Sequence, residues 1–144
     1  KEIKKSYEEI SDKNFIINLE QDTNPISLRK SIELIYGLRN FVGNANKFAK
    51  SNIFITVKSD SQNSEIIIED DGEGFSKEIF NKIGLPYIRS LKNNYTKKSG
   101  LGLGIFIGKN LLEKNFAKLV FRNSETRGGA EVNIKWKNKE LLKI

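Results

Sequence analysis

The sequence contains no cysteine and no histidine among its 144 residues. The absence of cysteine excludes disulfide bonds, thiolate chemistry and cysteine-ligated zinc. The absence of histidine removes the imidazole general base, the histidine metal ligand and the histidine phosphoacceptor from this chain. These two absences exclude several common kinds of catalytic and metal site before any motif is considered.

Long apolar runs are also absent. None approaches the length that a helix needs to cross a bilayer, and the start of the chain shows no signal-peptide pattern. The length suits one domain with one core. A net charge of +7 is compatible with nucleic acid, anionic lipid or a phosphorylated small molecule as partner. Because the lysines are scattered, with no basic stripe interleaved with aromatic residues, we do not expect nucleic-acid binding.

Hydrophobic periodicity predicts both helices and strands. A long amphipathic helix is predicted over 28–49 and a second, more apolar helix over 104–113. Weaker helical patterns lie at 1–11 and 77–82. Five strands are predicted, at 14–21, 53–58, 65–69, 118–122 and 131–136. This mixture predicts an α+β domain with a helical layer on one face of a mixed sheet. We expect the domain to span 14–137, preceded by a helix end or linker at 1–13 and followed by a tail at 138–144.

Polar residues interrupt the apolar pattern of the long helix over 40–48. Asn40 and Asn44 are four positions apart and share a helix face, and Lys47 projects the same way. An amide oxygen is a hard ligand for Mg²⁺, and a lysine neutralises phosphate. The group suits a magnesium-bound polyphosphate, whereas an isolated asparagine pair on a helix is more often solvent-exposed or a local cap.

A second motif, at 69–75, follows directly after a run of three isoleucines. A carboxylate at the end of a buried strand, such as Asp70, can accept a hydrogen bond from an exocyclic amine. Gly72 and Gly74 allow a flat base to lie against the backbone. Since Asp-Gly is also a common turn dipeptide, this motif alone is equally typical of a surface turn.

A third motif alternates glycine with leucine over 100–104, immediately before the second helix. Glycine lets the backbone approach a bulky ligand, and a helix N-terminus favours phosphate. Alone, the motif is equally typical of a plain loop before a helix. The polar, basic segment before it, at 91–100, is expected to be mobile.

Taken in this order, the three motifs resemble the ATP-binding domain of sensor histidine kinases, in the superfamily shared with gyrase B, Hsp90 and MutL. Residues 40–48 resemble the N box of this superfamily, and residues 70–74 resemble its G1 box. Residues 100–104 resemble the G2 box, and residues 127–130 resemble the last glycine box. The resemblance covers most of the chain. It implies a two-layer α/β sandwich of the Bergerat, or GHKL, type, with a mixed sheet of about five strands and about three helices on one face.

Segments 31–40, 83–87 and 104–113 resemble more narrowly the RegB/PrrB/ActS kinases of alphaproteobacteria. In that subfamily the redox-active cysteine lies outside this domain. The lack of cysteine here therefore neither supports nor refutes such a role.

The resemblance assigns roles to individual residues. Asn44 matches the asparagine that ligates Mg²⁺, Lys47 the phosphate-binding lysine, and Asp70 the aspartate that reads the adenine amine. Phe48 stands where many relatives have a tyrosine near the nucleotide, and it keeps the aromatic surface without the hydroxyl. The other expected nucleotide contacts are Gly72 and Gly74 at the base, Ile83, Leu85 and Leu103 as apolar walls, Gly100, Leu101, Gly102 and Gly104 at the phosphates, and Ala130.

Residues 91–99 match the ATP lid of the family, which is expected to order over nucleotide. Lys97 and Lys98 in this segment are expected to reach phosphate. The alternative for these two lysines is an ordinary solvated basic loop.

Asn40 occupies the position at which the ATPase members, and the serine kinases among anti-sigma factors, carry a glutamate general base. Asparagine cannot act as a base. The resemblance therefore implies histidine-kinase chemistry, in which a neutral imidazole nitrogen is already a nucleophile. Catalysis by Asn40, Asn44 and Lys47 would rest mainly on positioning and charge neutralisation.

The resemblance implies that this chain binds ATP and Mg²⁺, and the missing histidine implies that it does not phosphorylate itself. In the family, the phosphoacceptor lies in a dimerisation domain, expected upstream together with any membrane sensor. We expect a monomeric fragment of a homodimeric bacterial sensor, cytoplasmic and anchored at the inner membrane. It would act as a transferase in a two-component phosphorelay, with a response regulator downstream.

Two other interpretations of the sequence remain open. One is a stand-alone ATPase or ATP-gated clamp of the gyrase, Hsp90 or MutL type, which the asparagine at position 40 disfavours. The other is a degenerate interaction module that binds no nucleotide, which the intact Asp70, Asn44 and glycine motifs disfavour.

Overall fold

The computed structural model describes residues 2–20, 31–83 and 101–144. These residues contain five strands: β1 (Asn14–Leu19), β2 (Asn52–Ser59), β3 (Asn63–Asp70), β4 (Lys118–Asn123) and β5 (Ala130–Lys137). They form a sheet in the order β1-β2-β3-β5-β4. β1 pairs parallel with β2, and the other neighbouring strands pair antiparallel. The sheet is therefore mixed.

The helices of the described residues are α1 (Glu2–Glu8), α2 (Ile32–Phe48), α3 (Lys77–Phe80), α4 (Leu101–Lys114) and α5 (Asn138–Leu141). The parallel pairing of β1 with β2 requires a crossover connection, and α2 lies within it. Ser31 caps α2, because its hydroxyl accepts a hydrogen bond from the backbone N–H of Leu34. None of the described helices is both long and apolar enough to span a membrane.

The core lies between the sheet and the two long helices. Strand residues alternate between the two faces, so that Ile53, Ile68 and Ile134 are buried on the helical side. Phe41 of α2 and Ile105 of α4 are buried against them. The apolar stripes of the helices and the apolar face of the sheet therefore bury each other.

Two helical glycines let α2 and α4 pack closely. A Cβ built on Gly37 would lie 2.8 Å from Leu112 Cδ2, and one on Gly108 would lie 2.8 Å from Phe41 Cε2. Both distances are shorter than ordinary Cβ contacts. This close approach brings the polar face of α2 next to the beginning of α4.

Both terminal segments contact the rest of the domain. The ring of Tyr7 in α1 stacks on the ring of Phe15, with 6.0 Å between the centroids. The hydroxyl of Tyr7 lies close to Gly43, because a Cβ built on Gly43 would be 2.7 Å from it. Leu141 of α5 is buried in the core cluster. The segments expected from the sequence to be a linker and a tail thus contribute to packing.

The α+β sandwich expected from the sequence is confirmed, but the predicted start of the second long helix is wrong. Helix α4 begins at Leu101, so Gly102 and Gly104 lie in its first turn rather than in a turn that precedes it. Glycine disfavours helix by up to about 1 kcal/mol, and the fully buried Ile105 in the same segment offsets this cost. The other long helix begins at Ile32, and residues 28–30 of its expected span lie outside the described residues.

Candidate functional site

Helix α2 presents the polar group that the sequence predicts. Asn40 Nδ2 donates a hydrogen bond of 2.8 Å to the carbonyl of Tyr36, one turn earlier. The half-buried side chain of Asn44 makes no hydrogen bond to any residue that the structure describes. Lys47 is half-buried, and its Nζ lies 5.8 Å from the centre of the Phe48 ring. The face thus carries an amide held by its own helix and an amide available to a ligand.

Asp70 is the last residue of β3, and it is a buried carboxylate with 2% of its surface exposed. Its Oδ1 accepts hydrogen bonds from the backbone N–H of Gly72, at 2.8 Å, and of Ala130, at 3.3 Å. Its Oδ2 makes no hydrogen bond to a described residue, and no described side-chain atom is both fully buried and unpaired. Oδ2 therefore retains contact with solvent and can accept a hydrogen bond from a ligand.

Burial raises the pKa of Asp70 above its ordinary value. The two backbone donors and, more weakly, Lys13 oppose this rise, while the neighbouring charge of Asp71 adds to it. The fold thus holds a carboxylate where its charge is costly. Such perturbed groups are concentrated at functional sites, because the cost is tolerated when a ligand uses the group.

The turn after β3 lies directly against the end of α2. A Cβ built on Gly72 would lie 2.2 Å from the carbonyl oxygen of Phe48 and 2.9 Å from Asp70 Oδ1. No side chain fits there without moving the backbone. The absence of a side chain at Gly72 therefore places Asp70 beside the C-terminal end of the helix that carries Asn44 and Lys47.

Asp71 fastens the same turn to the connection between α2 and β2. Its Oδ1 accepts hydrogen bonds from the backbone N–H of Lys50 and Ser51, at 2.8 and 3.0 Å. Its Oδ2 accepts from the backbone and side-chain nitrogens of Asn52, at 3.0 and 3.1 Å. Although partial burial raises the pKa of Asp71, these donors outweigh it and lower the pKa below its ordinary value. Asp71 is thus a structural clamp rather than a ligand-facing acid.

Gly74 and Phe75 are fixed by Asn123 at the end of β4. Gly74 has a φ of +77°, which favours glycine, and a Cβ there would lie 2.6 Å from Asn123 Oδ1. Asn123 accepts from the backbone N–H of Phe75 and donates to its carbonyl, at 2.7 and 3.0 Å. The conformation of this turn therefore depends on a residue from a different strand.

The beginning of α4 meets α2 at Asn40. A Cβ on Gly104 would lie 3.5 Å from Asn40 Oδ1, which is an ordinary contact distance. Leu103 is exposed, and Ile83 is half-buried against the core cluster.

Several expected site residues cannot be placed. Leu85, Lys97, Lys98, Gly100 and the expected lid at 91–99 lie outside the described residues. Leu101 and Gly102 lie in α4, but their side-chain environment is likewise outside the description.

The described residues contain no cluster of three or more acidic side chains that could hold a metal ion. A divalent cation at this site would therefore depend on amide oxygen and on oxygens of the ligand itself, as Mg²⁺ bound to polyphosphate does. Asn44 fits that requirement, because its amide is half-buried and has no described partner. The arrangement combines a hydrogen-bond acceptor, an amide that could ligate a cation and a lysine that could neutralise a phosphate.

Three residues at or near Asp70 received no individual role from the sequence: Asp71, Ser124, and Gly129, which lies in the segment 127–130 that resembles the last glycine box. The adjacent pair Gly128 and Gly129 was a visible signal, because neighbouring glycines mark positions where conformation or space is restricted. Nothing in the sequence indicated the environment of Ser124, which is 4% exposed and donates to Glu69 Oε1 at 2.7 Å. Asp71 was visible only as one of several acids in the second motif.

Comparison with known proteins bears on this geometry. Residues 30–140 match the family described as "Histidine kinase-, DNA gyrase B-, and HSP90-like ATPase". The sensor histidine kinase RegB of Cereibacter sphaeroides is 35% identical over 83% of this chain, and the sensor histidine kinase CssS of Bacillus subtilis is 29% identical over 62% of it. The chain spans only 29% and 18% of the lengths of these two relatives.

Solved structures agree in fold. The catalytic domain of histidine kinase ThkA superposes with a TM-score of 0.74 at 20% identity, covering 95% of this chain and 90% of that one. The mycobacterial sensor histidine kinase MprB gives a TM-score of 0.71 at 17% identity, covering 94% and 88%. The resemblance inferred from the motifs is thereby confirmed: the chain belongs to the family of histidine kinase-, DNA gyrase B- and HSP90-like ATPases.

Proposed function

We propose that this chain is the ATP- and Mg²⁺-binding catalytic domain of a two-component sensor histidine kinase. One observation carries the proposal: a buried Asp70, held on Oδ1 by Gly72 and Ala130, stands beside the end of the helix that bears Asn44 and Lys47. An acceptor for the adenine amine and the groups for a magnesium polyphosphate are thus close together. The similarity to RegB supports the kinase assignment.

In this proposal, Asp70 Oδ2 accepts a hydrogen bond from the adenine amine, and the glycines of the same turn let the base approach the backbone. Asn44 ligates Mg²⁺ that is bound to the phosphates, and Lys47 offsets their negative charge. Gly104 lies at the phosphate side beside Asn40. The lid residues Lys97 and Lys98, with Leu85 and 100–102, are assigned to the nucleotide only by the family resemblance.

Asn40 supports phosphotransfer to an imidazole over hydrolysis. Its amide has no proton-accepting nitrogen, and its Nδ2 is already engaged with the carbonyl of Tyr36. It therefore cannot activate water as a glutamate would. Phosphoryl transfer here depends on the placement of the nucleotide and on charge neutralisation.

The acceptor belongs to another part of the protein, because the chain contains no histidine. We assign it to a dimerisation domain of the same kinase, in a full-length homodimer anchored at the inner membrane with this domain on the cytoplasmic side. A response regulator would receive the phosphoryl group from that histidine. The chain alone would be a monomer that binds ATP or ADP.

Transfer of labelled phosphate tests the proposal directly. The chain is incubated with Mg²⁺, ATP labelled at the γ-phosphate and a separately supplied histidine-bearing helical hairpin. We expect label on the hairpin, none on the chain, and none on a hairpin whose histidine is replaced by glutamine. Asn44→Ala should lose the transfer. Saturable ATP binding without any labelling of the hairpin would contradict the kinase assignment.

The ATPase or clamp alternative makes a different prediction. It requires steady phosphate release by the isolated chain, lost in Asn40→Ala. We expect no steady hydrolysis, and therefore no change in this variant.

A further inference from the structure

The turn between β4 and β5, residues 124–129, is closed by its own hydrogen bonds. The backbone N–H of Ser124 donates to the carbonyl of Gly129 at 2.8 Å, and that of Gly128 donates to the carbonyl of Ser124 at 3.0 Å. The Ser124 hydroxyl accepts from the backbone N–H of Arg127, also at 3.0 Å. We call this segment the β4–β5 turn.

The β4–β5 turn lies directly against Asp70. A Cβ built on Gly129 would lie 2.2 Å from Asp70 Oδ1, 2.3 Å from the Asp70 carbonyl and 2.6 Å from the backbone nitrogen of Gly72. The buried Ser124 hydroxyl donates to Glu69, the residue immediately before Asp70. The turn thus borders the carboxylate and is bonded to the strand that carries it.

The two neighbouring glycines of this turn are required for different physical reasons. Gly128 has a φ of +86°, but a Cβ there would lie within 4 Å of no atom of the described residues. Gly129 has no positive φ, but it has no room for a Cβ. A substitution at Gly128 therefore introduces backbone strain alone, while one at Gly129 acts mainly on Asp70 and the turn beside it.

We propose that Gly129 is a positioning residue for the adenine-reading carboxylate, and that the β4–β5 turn thereby sets the preference of the site for adenine over guanine. This inference rests on the proposed function, since it presumes that Asp70 contacts the base.

The chemistry of the two purines explains why position matters. Adenine carries an amine donor at the ring position where guanine carries a carbonyl acceptor. A carboxylate oxygen aimed at that position attracts the amine and repels the carbonyl. Because Oδ1 is held by Gly72 and Ala130, the direction of Oδ2 is fixed by the same contacts. A side chain on Gly129 would push against Oδ1 and turn Oδ2 away from the adenine amine. Binding sites tolerate a displacement of such a group by only a fraction of an ångström.

The test compares Gly129→Ala with Gly128→Ala. Titration calorimetry measures the affinity of each variant for ADP-Mg and GDP-Mg, and circular dichroism measures its thermal unfolding. We expect Gly129→Ala to weaken ADP binding about tenfold, roughly the contribution of one hydrogen bond to a charged group, with a much smaller change for GDP. Gly128→Ala should lower the unfolding temperature and leave the ratio of the two affinities unchanged.

A milder pair of variants covers the case in which Gly129→Ala does not fold. Ser124→Ala removes the hydroxyl that bonds Glu69 and Arg127 while leaving most of the side-chain volume. We expect it to weaken ADP binding about threefold, with no change for GDP, since a hydrogen bond one residue from the carboxylate acts only indirectly. Thr126→Ala, at an exposed position of the same turn, is the matched control and should change neither affinity.

A double variant separates positioning from a general loss of structure. In an Asp70→Asn background, the turn variant should reduce ADP affinity no further, because the contact that it positions is already gone. Equal losses for ADP and GDP, or additive losses in the double variant, would overturn the inference. If the wild-type chain shows no preference for ADP over GDP, or if Asp70→Asn binds ADP normally, the proposed function itself fails. If Asp70→Asn loses ADP binding while the turn variants keep their selectivity, the inference alone fails.

Discussion

The two ends of the proposed nucleotide site are built differently. At the base end, Phe48, Asp70 and Gly72 lie so close together that a single added carbon atom does not fit, and a third segment reaches Asp70 through the N–H of Ala130. At the phosphate end, Asn44 has no described hydrogen-bond partner, and a Cβ on Gly104 would meet its neighbour at an ordinary distance.

This difference indicates that the two ends contribute differently to nucleotide recognition. The proposed base end is held by contacts within the fold, so we expect its selectivity to be a property of the folded core. At the proposed phosphate end, we expect the cation of the ligand to be the partner of Asn44. Substitutions that add volume at the base end should therefore affect stability and binding together, whereas truncation of Asn44 at the phosphate end should affect binding while leaving the fold intact.

The largest effect is expected for Gly72→Ala. The new Cβ would lie 2.2 Å from the Phe48 carbonyl, so either the turn or the end of α2 must move. Overpacking of this kind costs typically about 1–3 kcal/mol. We expect a loss of that size in the free energy of unfolding, measured by urea denaturation, together with weaker ADP binding. An unchanged unfolding midpoint would show that the base end is looser than its geometry implies.

Asn44→Ala probes the phosphate end. Loss of the amide should remove most of the magnesium dependence of ADP binding, about tenfold in affinity, or about 1.4 kcal/mol. Thermal unfolding of the ligand-free protein should change little, because the amide bonds no described residue. If wild-type affinities with and without Mg²⁺ are equal, Asn44 has no role as a metal ligand.

Gly104→Ala should have a smaller effect, of the opposite sign to that of Gly72→Ala. The position is helical and its Cβ has ordinary room beside Asn40 Oδ1. Replacing glycine by alanine in a helix stabilises by roughly 0.5–1 kcal/mol. The free energy of unfolding should rise by up to that amount, measured by the same urea denaturation. A fall in the free energy of unfolding would instead show that Gly104 is packed as tightly as the glycine of the base end.

The smallest effect concerns acid stability. Hydrogen bonds lower the pKa of Asp71 in the folded protein. The stabilisation that ionised Asp71 gives to the fold is therefore present above its pKa in the unfolded chain, about 4. It is lost as the pH falls through the lowered pKa of the folded protein. The difference in unfolding free energy between wild type and Asp71→Asn should therefore narrow from about pH 6 to about pH 3. Asp60→Asn is a matched control, since backbone N–H donors lower the pKa of Asp60 in the β2–β3 hairpin. Only Asp71→Asn should also weaken ADP binding.

The elements of the fold could largely be predicted from the sequence, because their patterns are local. The spacing of apolar residues gave the long helix and the five strands, and the order of three motifs singled out Asn44 and Asp70. The predicted start of α4 was wrong, because the glycines of 100–104 were interpreted as a ligand-binding segment that precedes the helix. The low helix preference of glycine is outweighed there by tertiary packing, with Ile105 fully buried near the start of α4.

The supports of the site were missed because they act across the chain. Ser124 bonds a residue 55 positions away, and Ala130 bonds Asp70 across 60 positions. No local pattern encodes such contacts. In the sequence, Asp71 is indistinguishable from an ordinary acidic turn residue, because its four hydrogen-bond donors lie about 20 positions earlier in the chain. The sequence thus indicated the groups that we propose to face the ligand, but not the groups that hold them in place.

The most direct test of the central claim is calorimetric titration of wild type and Asp70→Asn with ADP-Mg. The asparagine can keep the Oδ1 acceptor for Gly72 and Ala130, but it places a neutral donor where the adenine amine needs an acceptor. We predict a loss of at least about 1.5 kcal/mol, more than tenfold in affinity. The unfolding temperature should not fall, since burial makes the charge of Asp70 costly. Unchanged ADP affinity in a folded Asp70→Asn variant would contradict the account.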